Sequence, residues 1–405
     1  MHRFDPARLS RFDAWMNAYV DSGKLPGCSV LLAQGGEILH RGVAGLASVE
    51  EGTPYRDDTI ARIYSMTKPV TSVVLMMLAE RGLLHLAAPV SDYIPEFADM
   101  EVLIDGAKRL DQIRPCATPT LAQLATHTAG LTYSFNPGPL GAVYKERVLD
   151  FPAFQPAGLE GAVKMVADLP LAFEPGSQWG YSVGIDVLGR VIEVVAGKPL
   201  DQVFSEFVFE PLGMTDTGFG VSDAQLDRFA WLYTAIDPAN PTALGAKGTG
   251  ELHKVDNAEN SPYRSPITFG GGGGLVSTLD DYFAFCEMLR KGGAHNGARI
   301  LSPSTLKFMR RNFLPGDIAS MGAKSFAEMP MEGIGFGIGW SVVLEPGRTL
   351  MPSNVGDFSW GGIASTVFWV DPVEDLVCIF FTQVTPSSAY PIRHQLKSLV
   401  HGAMI

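Results

Sequence analysis

β-strand patterns lie at both ends of this chain, and they constrain its fold more than any other feature. Near the amino terminus, CSVLLA and ILHRGVA flank the turn QGGE, whose two glycines supply the positive φ angles of a tight hairpin. Near the carboxyl terminus, FGIGWSVVLE, IASTVFWV and LVCIFFT are strand-like, and DPVED joins the last two. We therefore expect one mostly antiparallel sheet that is assembled from the two chain ends.

Helical patterns flank and separate these strands. Apolar residues recur at helical spacing over residues 7–21, and a closing helix is predicted over residues 391–402. In the middle of the chain, TPTLAQLATHTAG begins with the helix-start signal Thr118-Pro119, and GIDVLGRVIEVVAGKP and STLDDYFAFCEMLRKGG carry start and stop signals of their own. Loops rich in proline and glycine are expected over residues 134–160 and 236–274.

These patterns predict an α/β (α+β) fold, in which an antiparallel sheet flanked by helices carries a second, helical region. The expected division is an α/β domain of residues 1–89 and 262–405, built from both chain ends, and a mainly helical domain of residues 90–261. With 405 residues, the chain is long enough for two or three folding units.

Composition excludes several classes of function. The formal net charge is -12, which argues against a nucleic acid or an anionic membrane as partner. No run approaches the roughly 18 apolar residues that a membrane span requires, and residues 1–20 lack the apolar core of a secretory signal. The four cysteines show no CxxC spacing, so we interpret them as reduced thiols. A cytoplasmic protein is expected.

A serine and a lysine stand at the head of the apolar run SMTKPVTSVVLMML. Pro69 is tolerated only in the first turn of a helix, so the helix should begin near Ser65 or Met66. Ser65 then lies at the positive end of the helix dipole, and Lys68 lies one turn away on the same face. An amine desolvated at such a position has a lowered pKa and can take the proton of a nearby hydroxyl. The pair is therefore a candidate nucleophile and base.

The S-x-x-K spacing alone does not establish catalysis. A serine cap followed by a lysine that reaches solvent is the more common arrangement. The same spacing recurs at Ser304 and Lys307 in SPSTLKFMR, where helix capping is the better explanation. The catalytic interpretation of Ser65 and Lys68 needs further residues.

Further segments supply these residues. YSMTKPV, FEPGSQWGYSVGIDVLG and FSWGGIASTVFWVDP, together with HTAGLTYSF and FGGGGGLVSTLDDY, resemble the motifs of the serine β-lactamase-like superfamily. Among its members the chain is most similar to the family VIII carboxylesterases, which themselves resemble class C β-lactamases and penicillin-binding proteins. The resemblance extends over nearly the whole chain and implies the β-lactamase-like fold.

The resemblance implies a role for particular residues. Ser65 would attack the acyl carbon, while Lys68 and Tyr181 would share the acid and base work. The backbone N–H groups of Ser65 and Ile363 would bind the oxyanion, and such donors are typically worth about 3 kcal/mol each in the transition state. Tyr133 resembles a second tyrosine that lines the pocket, although a structural loop aromatic explains it equally well. His127 is interpreted as a structural hydrogen-bonding residue at a helix end.

Two departures from the lactamase pattern favour esters over β-lactams. Val183 replaces the asparagine that contacts a β-lactam side-chain amide, and Trp360, Gly361 and Gly362 replace a triplet whose cation and hydroxyl bind the β-lactam carboxylate. Trp360 would offer an apolar wall to acyl chains or bulky alcohols. The implied function is hydrolysis of short- to medium-chain carboxylic esters, with little or weak β-lactamase activity and a small-molecule ester as substrate.

Other functions compete with this interpretation. GYSVG matches the G-x-S-x-G nucleophile motif of α/β-hydrolases, in which Ser182 would be the nucleophile. That motif should follow a buried strand directly, whereas here it follows a turn-rich segment. The candidate bases downstream of Ser182 are His253, His295, His394 and His401.

An acyltransferase or a β-lactamase on the same fold, and a non-catalytic module of the penicillin-binding type, also remain open. The eight histidines form no H-x-H or H-E-x-x-H pattern, so neither a metal nor another cofactor is expected.

Overall fold

The computed structural model describes residues 4–136, 138–150 and 156–405, and an antiparallel sheet of eight strands lies at its centre. The strand order is β4-β5-β6-β7-β8-β1-β2-β3. In chain order the strands are β1 (Gly27–Gln34), β2 (Glu37–Ser48), β3 (Thr53–Pro54), β4 (Ile334–Phe336), β5 (Ser341–Val343), β6 (Phe358–Gly361), β7 (Val367–Asp371) and β8 (Leu376–Thr382).

The two chain ends meet where β1 pairs with β8. This antiparallel register runs from Cys28 opposite Thr382 to Gln34 opposite Leu376. In the β1–β2 hairpin, Gly35 and Gly36 adopt φ angles of 63° and 90°, which the hairpin turn requires. The expectation of an antiparallel sheet built from both chain ends is confirmed.

The predicted strand over 336–345 is wrong in one respect, because the chain folds back within it. β4 ends at Phe336 and β5 begins at Ser341, and the two pair as a hairpin. Gly339 lies at the turn with φ 93°, a conformation that favours glycine. The strand expected over 363–370 also starts later than predicted. β7 begins only at Val367, because the chain turns at Ser365 with φ 65°.

Twelve α-helices lie within the described residues. They are α1 (Pro6–Asp21), α2 (Thr67–Glu80), α3 (Leu121–Ala125), α4 (Leu140–Glu146), α5 (Gly158–Ala167), α6 (Gly184–Ala196), α7 (Leu200–Phe204), α8 (Glu210–Leu212), α9 (Leu279–Arg290), α10 (Pro303–Met309), α11 (Pro346–Thr349) and α12 (Ile392–Gly402). In this part of the chain, no helix combines the length and the apolar composition needed to cross a membrane.

Helices cover both faces of the sheet because side chains of β1 alternate between its faces. Val30 and Leu32 belong to a core formed with α1 and α12. Leu31 and Ala33 belong to the larger core on the opposite face, which includes α2 and α9. Twelve of the fourteen residues of α2 are buried, so this helix runs through the middle of the molecule.

Two expectations about the middle of the chain need correction. α3 begins after Thr120, which forms a capping box with Gln123, and not at Thr118-Pro119. The expected loop over 134–160 contains α4 and the start of α5 at Gly158, while residues 137 and 151–155 of that loop lie outside the described residues.

Residues 90–261 carry α3 to α8, in agreement with a helical region. Leu232–Thr234 pairs with His253–Asp256 and also, in parallel, with Val384–Thr385 near the carboxyl terminus. The domain boundaries stay a prediction.

Candidate active site

Ser65 lies in a single 3-10 turn, Tyr64–Met66, immediately before α2. Tyr64 has a φ of 43°, a left-handed conformation that is unusual for tyrosine. Such strained residues cluster at functional sites, where the surrounding structure holds them in place. Ser65 is half-buried and faces a cleft that encloses about 670 Å³, including the part open to solvent. The cleft therefore gives a small molecule access to the serine.

The cleft gathers most of the residues that were predicted from the sequence to form the site. Its lining includes Ser65, Tyr133, Tyr181, Asp186, Gly272, Phe326, Gly361, Gly362, Ile363 and Arg393. These residues come from the turn before α2, from α6 and α12, from loops, from β6 and from the short strand Ser325–Phe326.

Lys68 is buried, with 1% of its surface exposed. Its ammonium lies 3.2 Å from Ser65 Oγ, 3.2 Å from the hydroxyl of Tyr133 and 2.6 Å from the carbonyl oxygen of Gly272. These three acceptors use all three N–H donors of the charged form. If Lys68 is neutral, it has two donors and one lone pair, and the lone pair can accept the proton of Ser65. The geometry fits a base that exchanges a proton with Ser65.

Tyr133 makes a direct contact with this base. Its hydroxyl accepts a hydrogen bond from Lys68, and its ring stacks on Phe135 at a centroid distance of 5.1 Å. Burial raises the pKa of Tyr133 well above its usual value of 10, so the phenol stays protonated. A phenol that accepts from Lys68 can direct its own proton elsewhere in the cleft. Tyr133 therefore belongs to the polar network of the site.

Tyr181 approaches Lys68 in a different way. The Lys68 ammonium lies over the face of the Tyr181 ring, 4.7 Å from its centroid. The hydroxyl of Tyr181 accepts a hydrogen bond of 3.3 Å from the indole N–H of Trp360. Its backbone carbonyl accepts a hydrogen bond of 2.7 Å from the amide of Asn136. Tyr181 is thus held at both ends.

Trp360 does not line the catalytic cleft itself but lines an adjoining cavity, so its role as an apolar wall for substrate stays a prediction. Its indole is buried and stacks on Phe326, which does line the cleft, at a centroid distance of 6.0 Å and an interplanar angle of 11°. Its N–H orients Tyr181 instead of facing the substrate.

The oxyanion hole of Ser65 and Ile363 stays a prediction, and the structure places both residues at the cleft. Within the described residues, neither Ser65 nor Ile363 uses its backbone N–H in a hydrogen bond, and both residues line the cleft. Gly361 and Gly362 allow the close packing beside them. A Cβ at Gly362 would lie 2.4 Å from the carbonyl oxygen of Ile63, and one at Gly361 would lie 2.7 Å from that of Thr366. Any other residue at these positions would displace the backbone.

Asp186 is a site residue that the sequence did not reveal. It lies in the first turn of α6 with 2% of its surface exposed, and its Oδ1 accepts a hydrogen bond of 2.8 Å from the N–H of Gly272. Burial raises its pKa to about 6, while the nearby charge of Lys68 acts in the opposite direction. A Cβ at Gly272 would lie 2.2 Å from the carboxyl group, so only glycine fits there.

The Gly272 peptide therefore joins Asp186 to Lys68. The N–H of Gly272 donates a hydrogen bond to the Asp186 carboxyl group, and the Gly272 carbonyl accepts one from the Lys68 ammonium. An acidic residue in the first turn of a helix is ordinarily an exposed partner of the helix dipole, so no local pattern indicates this role.

Ser182 is buried and lies outside the cleft. It follows a loop rather than a strand, and its hydroxyl pairs with Nδ1 of His127 at 3.3 Å. The four downstream histidines considered as its base do not make this contact. Burial, followed by the charge of Lys68, lowers the pKa of His127 well below 6.5, so this imidazole is neutral. The environment of Ser182 is that of a packed structural residue.

The second S-x-x-K pair is exposed on the surface. Ser304 and Lys307 lie within α10, and the residue that caps this helix is Ser302. The prediction of helix capping in this segment is right, but the capping serine is a different one.

The charge of Arg393 is already neutralised. Arg393 lines the cleft, and its Nη1 donates to both carboxylate oxygens of Glu328 at 3.0 and 2.9 Å. Burial raises the pKa of Glu328, although Arg393 opposes this shift.

Throughout the described ranges, no three or more His, Cys, Asp or Glu side chains are grouped so that they could hold a metal ion.

The fold and the cleft together define an enzyme of the β-lactamase-like type, and comparison with known proteins agrees. The model of the beta-lactamase family matches residues 12–401. The chain therefore belongs to this family, and it is a hydrolase.

Similar proteins match along most of the chain. An uncharacterized protein of Mycobacterium tuberculosis is 35% identical over 90% of this chain and 88% of its own length. Esterase EstB of Burkholderia gladioli is 32% identical over 98% of this chain and 96% of its own length. Among solved structures, EstCE1, a hydrolase with promiscuous acyltransferase activity, superposes with a TM-score of 0.79 at 29% identity, covering 98% of this chain and 99% of EstCE1.

Proposed function

We propose that this protein is a serine carboxylesterase of the family VIII type, which hydrolyses small esters through an acyl-enzyme on Ser65. The observation that carries the proposal is the distance of 3.2 Å between Ser65 Oγ and the ammonium nitrogen of the buried Lys68, in an accessible cleft. Nucleophile and base within hydrogen-bond reach is the geometry that covalent catalysis needs.

Acylation begins with neutral Lys68. Its lone pair takes the proton of Ser65 as Oγ attacks the ester carbonyl carbon. The carbonyl π electrons move to oxygen, and the N–H groups of Ser65 and Ile363 stabilise the resulting oxyanion. Collapse of this intermediate expels the alkoxide. Lys68 returns the proton to the alkoxide with the help of Tyr181 or Tyr133, and Ser65 is left acylated.

Deacylation repeats these steps with water as the nucleophile. Neutral Lys68 accepts the proton of water, the same two N–H groups stabilise the second oxyanion, and Ser65 leaves with the proton that Lys68 returns. Asp186 acts through Gly272 by fixing the peptide whose carbonyl holds the ammonium of Lys68. The pair of tyrosines excludes water from one side of the amine.

Neutral esters suit this cleft better than anionic lactams. The cation in the cleft, Arg393, is already paired with Glu328, and Val183 offers no amide for a β-lactam side chain. Similarity to the esterase EstB supports the esterase assignment. We propose short- to medium-chain carboxylic esters as substrates and a cytoplasmic location.

Acyl transfer is a second candidate, because the acyl-enzyme can react with an alcohol in place of water. Similarity to EstCE1, a hydrolase that also transfers acyl groups, supports it. Release of p-nitrophenol from p-nitrophenyl butyrate can be followed in water and with added alcohols. Formation of a new ester, detected by mass spectrometry, would establish transfer.

The test of the mechanism is the replacement of Ser65 by alanine. We expect Ser65→Ala to abolish hydrolysis of p-nitrophenyl acetate, whereas Ser182→Ala, the matched control, keeps most of it. A fluorescent phosphonate should label the unmodified enzyme on the peptide that contains Ser65. Labelling of the Ser182 peptide, or full activity of Ser65→Ala, would reject the proposal.

A further inference from the structure

A second cavity adjoins the catalytic cleft. It encloses about 780 Å³, including the part open to solvent. Phe326, Gly361 and Arg393 line both the catalytic cleft and this cavity. Its apolar lining includes Phe326, Met329, Met331, Met351, Trp360 and Trp369. Methionine side chains adapt to ligands of different shape, so three of them in one wall favour a binding site.

Two residues that line this cavity, Asp357 and Trp369, which we call its floor, each carry a buried polar atom without a partner among the residues described. Asp357 is 1% exposed, and its Oδ1 has no hydrogen-bond partner in the described part of the chain. The indole N–H of Trp369 is buried and likewise lacks a partner there. Leaving such buried groups without partners is energetically unfavourable. One is an acceptor and the other is a donor.

These two atoms lie on the same side of the sheet. Trp369 in β7 pairs with Ser359 in β6, and Asp357 precedes Ser359 by two residues, so its side chain is on the same face. Lys397 connects them, because its ammonium is paired with the Asp357 carboxylate and lies 4.4 Å from the centroid of the Trp369 ring.

The charge of Lys397 also limits which chemical groups can bind beside Asp357 and Trp369. It already balances the charge of Asp357, so a second cation would be repelled. A hydroxyl group is neutral, donates to a carboxylate and accepts from an indole N–H. The polar serines of this wall are already engaged, since Ser341 donates to the carbonyl of Ser359 at 2.9 Å and Ser353 donates to that of Met351 at 3.2 Å.

We propose that this cavity binds the far end of a long apolar substituent of the ester, and that the substituent ends in a hydroxyl group held by Asp357 and Trp369. The inference rests on the proposed esterase function and names a substrate class for it. Phe326 and Gly361 line both the cleft and the cavity, so the proposed substituent would run past them from the cavity to the carbonyl at Ser65.

A matched pair of substrates tests the inference. The p-nitrophenyl esters of octanoic acid and of 8-hydroxyoctanoic acid differ only at the far end, and the same comparison extends to longer and shorter chains. When the acyl chain is long enough for its far end to reach Asp357 and Trp369, we expect kcat/KM to be about tenfold higher for the hydroxylated ester. One well-placed hydrogen bond is worth about 1.4 kcal/mol, which corresponds to this factor. Equal values at every length would overturn the proposal.

Two variants assign the preference to the cavity floor. Trp369→Phe removes the N–H and should lower the preference for the hydroxylated ester several-fold, while p-nitrophenyl acetate is hydrolysed as before. Trp340→Phe is the matched control, because Trp340 is also buried, lacks an N–H partner within the described ranges and lines neither hollow. An unchanged preference in Trp369→Phe, or the same loss in the control, would contradict the inference.

A binding measurement separates this inference from the proposed function. 1,8-octanediol should bind the unmodified enzyme more tightly than 1-octanol in calorimetry, and Trp369→Phe should remove the difference. If short esters are hydrolysed through Ser65 but the diol shows no advantage, only the inference fails. If no ester is hydrolysed but the diol binds as expected, the proposed function fails and the binding site stands.

Discussion

The ammonium of Lys68 contacts Tyr181 through the face of the tyrosine ring, 4.7 Å from the ring centroid, and not through the tyrosine hydroxyl. The hydroxyl is instead directed by Trp360, whereas Tyr133 accepts a hydrogen bond from the lysine directly. The two tyrosines therefore act on the base in different ways. One stabilises the ammonium by its ring electrons, and the other by its oxygen.

Replacing Lys68 by arginine should inactivate the enzyme. Arginine keeps the positive charge, but it does not give up its proton at accessible pH. Loss of a general base typically costs on the order of 100- to 10,000-fold in rate. The measurement is kcat/KM on p-nitrophenyl butyrate, with Lys307→Arg in the exposed second S-x-x-K pair as control. Near-normal activity of Lys68→Arg would reduce the lysine to an electrostatic helper.

The tyrosine hydroxyls can be compared by removing one at a time. Tyr133→Phe should lower kcat/KM because it leaves one N–H of the buried Lys68 without its acceptor. Tyr181→Phe should also be severely impaired, since it removes a proton-transfer group while the ring stays in place. Normal activity in both variants would show that Lys68 works without either phenol.

The bond between Trp360 and Tyr181 predicts a coupled effect. Trp360→Phe removes the indole N–H, so it should lower kcat/KM by about tenfold through a misoriented hydroxyl. In the Tyr181→Phe background the same change should have little further effect, because no hydroxyl is left to orient. A double-mutant cycle on one ester measures this coupling. Additive losses would mean that Trp360 acts through packing alone.

Burial of Asp186 predicts a pH-dependent stability. Its pKa is about 6 in the folded protein against 3.8 ordinarily, so between these values the native state holds a proton that the unfolded chain releases. This carboxyl therefore makes the free energy of unfolding fall as pH rises from about 4 to 6, by up to about 3 kcal/mol. Above pH 6 both states are ionised and the contribution is constant.

Urea unfolding of the unmodified protein and Asp186→Asn across this window measures the effect. Asp186→Asn has no carboxyl group to titrate at this position. The difference in free energy of unfolding, variant minus unmodified protein, should therefore rise with pH. Asp105→Asn, at an exposed carboxylate, is the control and should run parallel to the unmodified protein. Parallel curves for Asp186→Asn would contradict the raised pKa.

Freeing Arg393 should widen the range of substrates. Glu328→Gln removes the charge that pairs with Arg393, so the cleft gains a net positive charge. KM for the anionic ester p-nitrophenyl hydrogen succinate should fall several-fold, while KM for p-nitrophenyl acetate stays constant. Glu332→Gln, at the exposed partner of Arg348, is the control. An equal change for both esters would point to a general disturbance of the cleft.

The sequence alone determined the architecture of this protein to a large extent. The strand pairing between the two chain ends, the Gly35-Gly36 turn and the helix that starts just before Pro69 are indicated by local signals, and each appears where it was expected. The family motifs around Ser65, Lys68 and Tyr181 are also contiguous in the chain, so they could be recognised without knowledge of the fold. Local signals failed where the chain bends, as between β4 and β5.

Only the tertiary structure decided how the site is connected. Asp186 looks like an exposed helix-dipole partner, yet packing of α6 against residues 270–274 buries it beside Lys68. Trp360 looks like a wall of the cleft, yet the sheet turns its N–H toward Tyr181. Burial and hydrogen-bond partners depend on residues far away in the chain, so no local pattern can specify them. The chain encodes the motifs locally, and packing between distant segments sets their chemistry.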